Sequence, residues 1–193
     1  MGKRFAARAG IDIAPRRFGA IVPVVLALLV AAGIYVFGRN HTPDYSGTAL
    51  FGRSAQDTLP LKSLLATVVL GLALAQLGSA TWMYGGLGRL SVPRRLPRLH
   101  RLTGLAALLV TLPIGYHCMF AYGVQTADTR IAVHSLAGCF FYGAFAAKVT
   151  IVRSRRLRGW LLPVAGGTLV LLVGALWYTS ALWYYDGYSL PLS

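Results

Sequence analysis

The chain has 193 residues, of which 56% are hydrophobic and only 12% charged, with a mean hydropathy of +0.60. A soluble domain of this length carries roughly twice that charged fraction, so a soluble enzyme is excluded and an all-α membrane bundle is expected. The net charge of +14 would suit a nucleic-acid binder, but the basic residues sit in short stretches between apolar runs. No nucleic acid is expected as a partner.

Five runs approach the roughly 20 apolar residues that cross a bilayer core: residues 18–37, 63–84, 102–122, 131–152 and 160–183. Together they make one membrane domain of the whole chain, 1–193. Lys3, Arg4, Arg8, Arg16 and Arg17 precede the first span. That positive start resembles a signal peptide, but the long apolar stretch and the absence of an A-x-A site in "YVFGRNH" predict a retained anchor. The connection 39–62, "RNHTPDYSGTALFGRSAQDTLPLK", reads as turns from its Pro, Asp, Ser and Gly content.

The second span carries Gly71, Ala75 and Ser79 at four-residue spacing, a ridge of small residues suited to close helix packing. Gln76 is its strongly polar mid-span residue. In the loop 85–98, "GGLGRLSVPRRLPR", two prolines and a glycine cluster argue against a long helix. The third and fourth spans are separated by a short link and are expected to form an antiparallel hairpin. Cys118 and Cys139 lie in these two spans without C-x-x-C spacing and at different depths. They are read as small hydrophobes rather than as a disulfide.

The charges orient the bundle. With the N-terminus inside, 15 of the 19 basic residues are cytoplasmic: the five before the first span, then Arg89, Arg94, Arg95, Arg98 and Arg101, then Lys148, Arg153, Arg155, Arg156 and Arg158. Arg39, Arg53, Lys62 and Arg130 remain outside, with Asp44, Asp57, Asp128 and Asp186. The positive-inside rule thus predicts N-in and C-out. The basic face is expected to meet anionic lipid heads of the bilayer. Tyr35, Tyr116, Phe120, Tyr122, Trp177, Tyr178, Trp183, Tyr184 and Tyr185 form an outer aromatic belt, and Trp82, Tyr84 and Trp160 an inner one.

Histidine inside a span is costly and marks a candidate functional site. His117 lies near the outer end of the third span and His134 near the outer start of the fourth. By helical rise their depths differ by only roughly 3 Å, so one metal centre could sit between them. Haem b is the natural candidate, because neutral imidazole is its usual protein ligand and bundles hold cofactors between facing helices. Zinc is disfavoured for want of further ligands at that depth. At 100° per residue His134, Gly138, Phe141 and Phe145 share a narrow stripe, where the glycine would admit a flat ring and the phenylalanines wall it. In "TLPIGYHCMF", Pro113 crowds the carbonyl of Leu109 and bends the helix below His117. With Gly115, that bend could widen the gap to the fourth span. Ordinary packing of the stripe and of the kink is the alternative reading.

His100 stands about 25 Å from His117 by helical rise, at the inner interface. Its partner in a second haem could only be Met83; contact with a lipid phosphate, a haem propionate or a quinone head is the other reading. His41, just beyond the first span, could cap the outer site, be solvated, or replace one member of the His117–His134 pair.

"LHRLTGLAALLVTLPIGYH" followed by "HSLAGCFFYGAFAAK", roughly residues 98–150, resembles the helix pairs of membrane cytochromes b, of the ferric-reductase-like and ascorbate-reductase-like groups. The whole chain resembles a family of small actinobacterial multi-pass membrane proteins without an established function, whose genes often lie near Rieske iron–sulfur proteins. The resemblance implies the bacterial plasma membrane, axial ligands at His117 and His134 with His100 a further candidate, and a Rieske-type or other extracytoplasmic redox protein and other membrane subunits as partners. Two-haem members of those cytochrome groups use four intramembrane histidines in two spaced pairs, which this chain lacks. One haem b is therefore the expectation, with a quinone as a further possible ligand.

The expected function is a b-type cytochrome-like electron-transfer subunit of the respiratory chain, an oxidoreductase component without catalytic acid–base residues. The alternative is a non-catalytic scaffold or assembly subunit of a respiratory complex. A proton-coupled transporter is disfavoured by the lack of intramembrane carboxylates and of repeated broken helices. Nucleotide-driven enzymes are disfavoured by the lack of a Walker loop or G-x-G-x-x-G.

Overall fold

A computed structural model describes residues 18–44, 50–52, 55–85, 91–154 and 159–189. The basic residues Lys3, Arg4, Arg8, Arg16, Arg17, Arg53, Arg89, Arg155, Arg156 and Arg158 lie outside the described residues. Five helices are long and apolar enough to span a membrane: α1 Phe18–Asn40, α2 Ala55–Met83, α3 Leu96–Tyr122, α4 Thr129–Arg153 and α5 Leu161–Tyr185. The chain is an all-helical membrane protein.

Two helices begin earlier than their apolar runs. α2 starts at Ala55, so Lys62 is helical rather than part of a loop. α3 starts at Leu96, inside the stretch expected to resist helix. Pro97 falls at the second helical position, where the missing N–H would have no helical partner in any case. Hydropathy locates what lies in lipid. It does not see helix that continues into the headgroups.

Chain neighbours are not packing neighbours throughout. α4 packs on α1 and α5, and α2 packs on α3 and α5. α3 and α4 follow one another across a short link, but the main packing partner of α3 is α2. Close approach of α1 and α4 depends on Gly143, where an added Cβ would collide with the Ala27 carbonyl. The main core joins α2, α4 and α5 through Val69, Ala73, Phe141, Leu169 and Val173. A second cluster joins Ala31, Val124 and Cys139.

The small-residue ridge of α2 does not pack as expected. Gly71 and Ala75 are exposed, and nothing lies within 4 Å of a Cβ added at Gly71. The opposite positions Val69 and Ala73 face the core, because the neighbouring helices bring larger apolar chains to that side. Four described acids, Asp44, Asp57, Asp128 and Asp186, gather at one end of the bundle by helix direction. Arg94, Arg95, Arg98, Arg101, Lys148 and Arg153 gather at the other.

Candidate functional site

The acidic end holds the polar cluster, and two irregular turns shape it. The last turns of α3 and α5 widen to π-helix at Cys118–Tyr122 and Tyr178–Leu182. A π turn frees backbone groups and is frequent at functional sites. Here the freed groups find long-range partners. The Phe120 carbonyl accepts from His41 Nε2 at 3.0 Å and from the Asp44 amide at 3.4 Å. The Thr179 carbonyl accepts from Arg130 Nη1 at 2.9 Å, with the Arg130 guanidinium 3.8 Å above the Trp183 ring.

The start of α4 is fixed by Asp128, whose Oδ1 accepts from the Ile131 amide at 2.8 Å, a standard N-cap. One turn later His134 Nδ1 lies 3.0 Å from Thr179 Oγ1, and Thr179 is almost completely buried. His117 Nδ1 lies 3.4 Å from Lys62 Nζ, and Lys62 also sits 5.0 Å from the centre of the Tyr122 ring. The Cys118 side chain lies close to both histidines. His117 and His134 thus both lie at the acidic end, near the Cys118 thiol. Cys118, read from the sequence as a small hydrophobe, stands beside this cluster, next to His117 in the chain. Cys139 is buried among apolar chains as expected.

The stripe below His134 faces elsewhere. Gly138 has Leu176 of α5 at 3.9 Å from an added Cβ, Phe141 is buried in the main core, and Phe145 packs beside it. These three meet α5 and α2. The space at Gly115 is taken by Tyr142 of α4, whose hydroxyl donates to the Thr111 carbonyl at 2.9 Å. Gly115 therefore lets one side chain bridge α4 to α3.

Open space lies on the other side of His117. A cleft of about 660 Å³ is lined by Leu112, Pro113, Tyr116, His117, Phe120 and Ala121 of α3 and by His41, Asp44, Leu50 and Phe51 beyond α1. His41 stacks on Phe37 at 5.6 Å and meets the edge of Phe120 at 5.2 Å. His117 and His41 thus share the cleft, His117 and His134 lie near one thiol, and His100 belongs to the far end. Among the described residues no group of three or more His, Cys, Asp or Glu side chains is arranged to hold a metal ion.

Sequence comparison with known families matches residues 20–192 to a "Family of unknown function (DUF6529)", and the chain belongs to that family. No curated protein and no solved structure matches it.

Proposed function

We propose that this member of the family is a b-type cytochrome-like electron-transfer subunit of the bacterial plasma membrane. It holds one haem at the acidic end, which faces outward by the positive-inside rule. The observation that supports this reading is the cleft, which joins two imidazoles, His41 and His117, to apolar and aromatic walls. A haem fits those residues better than it fits the α4 stripe, where Gly138, Phe141 and Phe145 already pack against α5 and α2. Bound there, the iron would carry single electrons by changing oxidation state, between a quinol and a Rieske-type or other extracytoplasmic redox protein.

The chain's own residues set the ligation. His41 donates from Nε2 to the Phe120 carbonyl, so its neutral ring keeps the Nδ1 lone pair for a metal. His117 would ligate through Nε2 with its proton on Nδ1. That requires Lys62, whose ammonium only donates, to leave Nδ1 for the Tyr122 ring it already approaches. Pro113, Leu112, Tyr116 and Phe120 would wall the macrocycle. His134, at the same end of the bundle, is the second candidate to hold the haem together with His117.

Variants His41→Ala and His134→Ala, each expressed with ample haem, separate the two pairings. Loss of the low-spin spectrum in His41→Ala with retention in His134→Ala assigns the cleft pair, and the reverse assigns the α3–α4 pair. No haem in the unmodified protein would end the electron-transfer reading and leave the scaffold subunit.

A further inference from the structure

The basic end contains a second polar cluster, and among the described residues it has no counter-charge. In the seam between α2 and α3, Gln76 Nε2 donates to the His100 carbonyl at 2.5 Å and to Thr103 Oγ1 at 2.6 Å. Ser79 Oγ donates to the Ala75 carbonyl at 2.7 Å and lies 2.7 Å from His100 Nδ1. With its only proton on Ala75, Ser79 must accept from His100 Nδ1–H. The ring is therefore held against α2 with Nε2 directed away from Ser79.

Lys148 of α4 is half-buried and close enough to act electrostatically on His100. The four described acids all sit at the opposite end, and no carboxylate of α2, α3 or α4 occupies the basic end. A half-buried ammonium with no acid beside it among the described residues is costly unless an anion meets it. α3 and α4 are not closely packed on each other. Leu99 and Leu102 on α3 and Val149 and Val152 on α4 are exposed near this cluster.

We infer that Lys148 and His100 form a discrete headgroup site for an anionic phospholipid of the adjacent leaflet. The phosphate lies between Lys148 Nζ and His100 Nε2, and the acyl chains run along the exposed Leu and Val side chains. Arg98, Arg101 and Arg153 at the same end add attraction without closing the site. The apolar walls favour a lipid over a free phosphate ion, and basic surfaces between membrane helices are suited to such heads. The site is independent of the haem reading, since it uses no residue of the acidic end.

The test uses the full chain in neutral detergent, with lipid retention read by native mass spectrometry and melting temperature as a second readout. Phosphatidylglycerol should be retained and raise the melting temperature, whereas phosphatidylcholine and inorganic phosphate should do neither. Lys148→Gln should weaken retention about fivefold, the loss expected for one basic residue near the surface, and Lys148→Arg should keep it. Equal retention of the two lipids, equal protection by phosphate alone, or unchanged retention in Lys148→Gln would each overturn the inference. Should Lys148→Gln fail to fold, the lipid preference of the unmodified protein and its loss in high salt decide the matter.

Discussion

α3 and α4 follow one another in the chain and are put to opposite uses. The regular part of α3, Leu96–His117, buries no residue, and Leu102, Leu105, Leu109, Leu112 and Tyr116 leave a heptad-spaced apolar stripe exposed on it. α4 buries Ala137, Cys139, Phe141, Gly143, Ala147 and Ile151. The cleft borders the loosely held helix, and the core is built on the tightly held one. Binding elements are commonly drawn from the less stable parts of a fold, where adjustment costs little. Substitutions in α4 should therefore act on stability, and those in α3 on the cofactor.

The largest stability effect should come from Phe141→Ala, about 3–5 kcal/mol, from lost burial and the cavity left behind. Thermal unfolding in detergent measures it, and any haem spectrum should keep its band positions. A shifted spectrum would return Phe141 to the cofactor wall and erase the contrast between the helices. Gly143→Val should cost about 1–3 kcal/mol by forcing α4 off the Ala27 carbonyl; an unchanged melting temperature would mean that α1 and α4 do not touch there.

Tyr142→Phe tests a side chain that bridges the two helices. Losing its bond to the Thr111 carbonyl should cost about 0.5–1.5 kcal/mol. Gly71→Ala should be the mildest, within about 0.5 kcal/mol of neutral, because open space surrounds that position. A large loss there would restore the ridge on α2 as a packing surface.

The helices were legible because bilayer thickness imposes a long apolar run on each, and five runs became five helices. Their ends were less so, since Lys62 and Leu96 stand in polar sequence that remains helical. The placement of His117 and His134 near the acidic ends of their helices followed from helical rise alone. Which way their helices turn did not, because neighbours in the bundle are chosen by contacts such as Gly143 on Ala27, far apart in sequence. The stripe from His134 to Phe145 is a real face of α4, but a stripe does not name what it faces. The bonds of Phe120 and Thr179 depend on π turns, which no spacing of residue types announces. The orphaned carbonyls found His41 and Arg130 only once the chain had folded.

The central claim is that His117 holds a haem, and the dithionite-reduced-minus-oxidised spectrum of the purified protein tests it most directly. The account predicts the sharp bands of a six-coordinate low-spin b-type haem in the unmodified protein. It predicts their loss in His117→Ala, with that variant still in the membrane fraction and melting within a few degrees of the parent. A flat spectrum from haem-replete cells, or bands undiminished in His117→Ala, would contradict it.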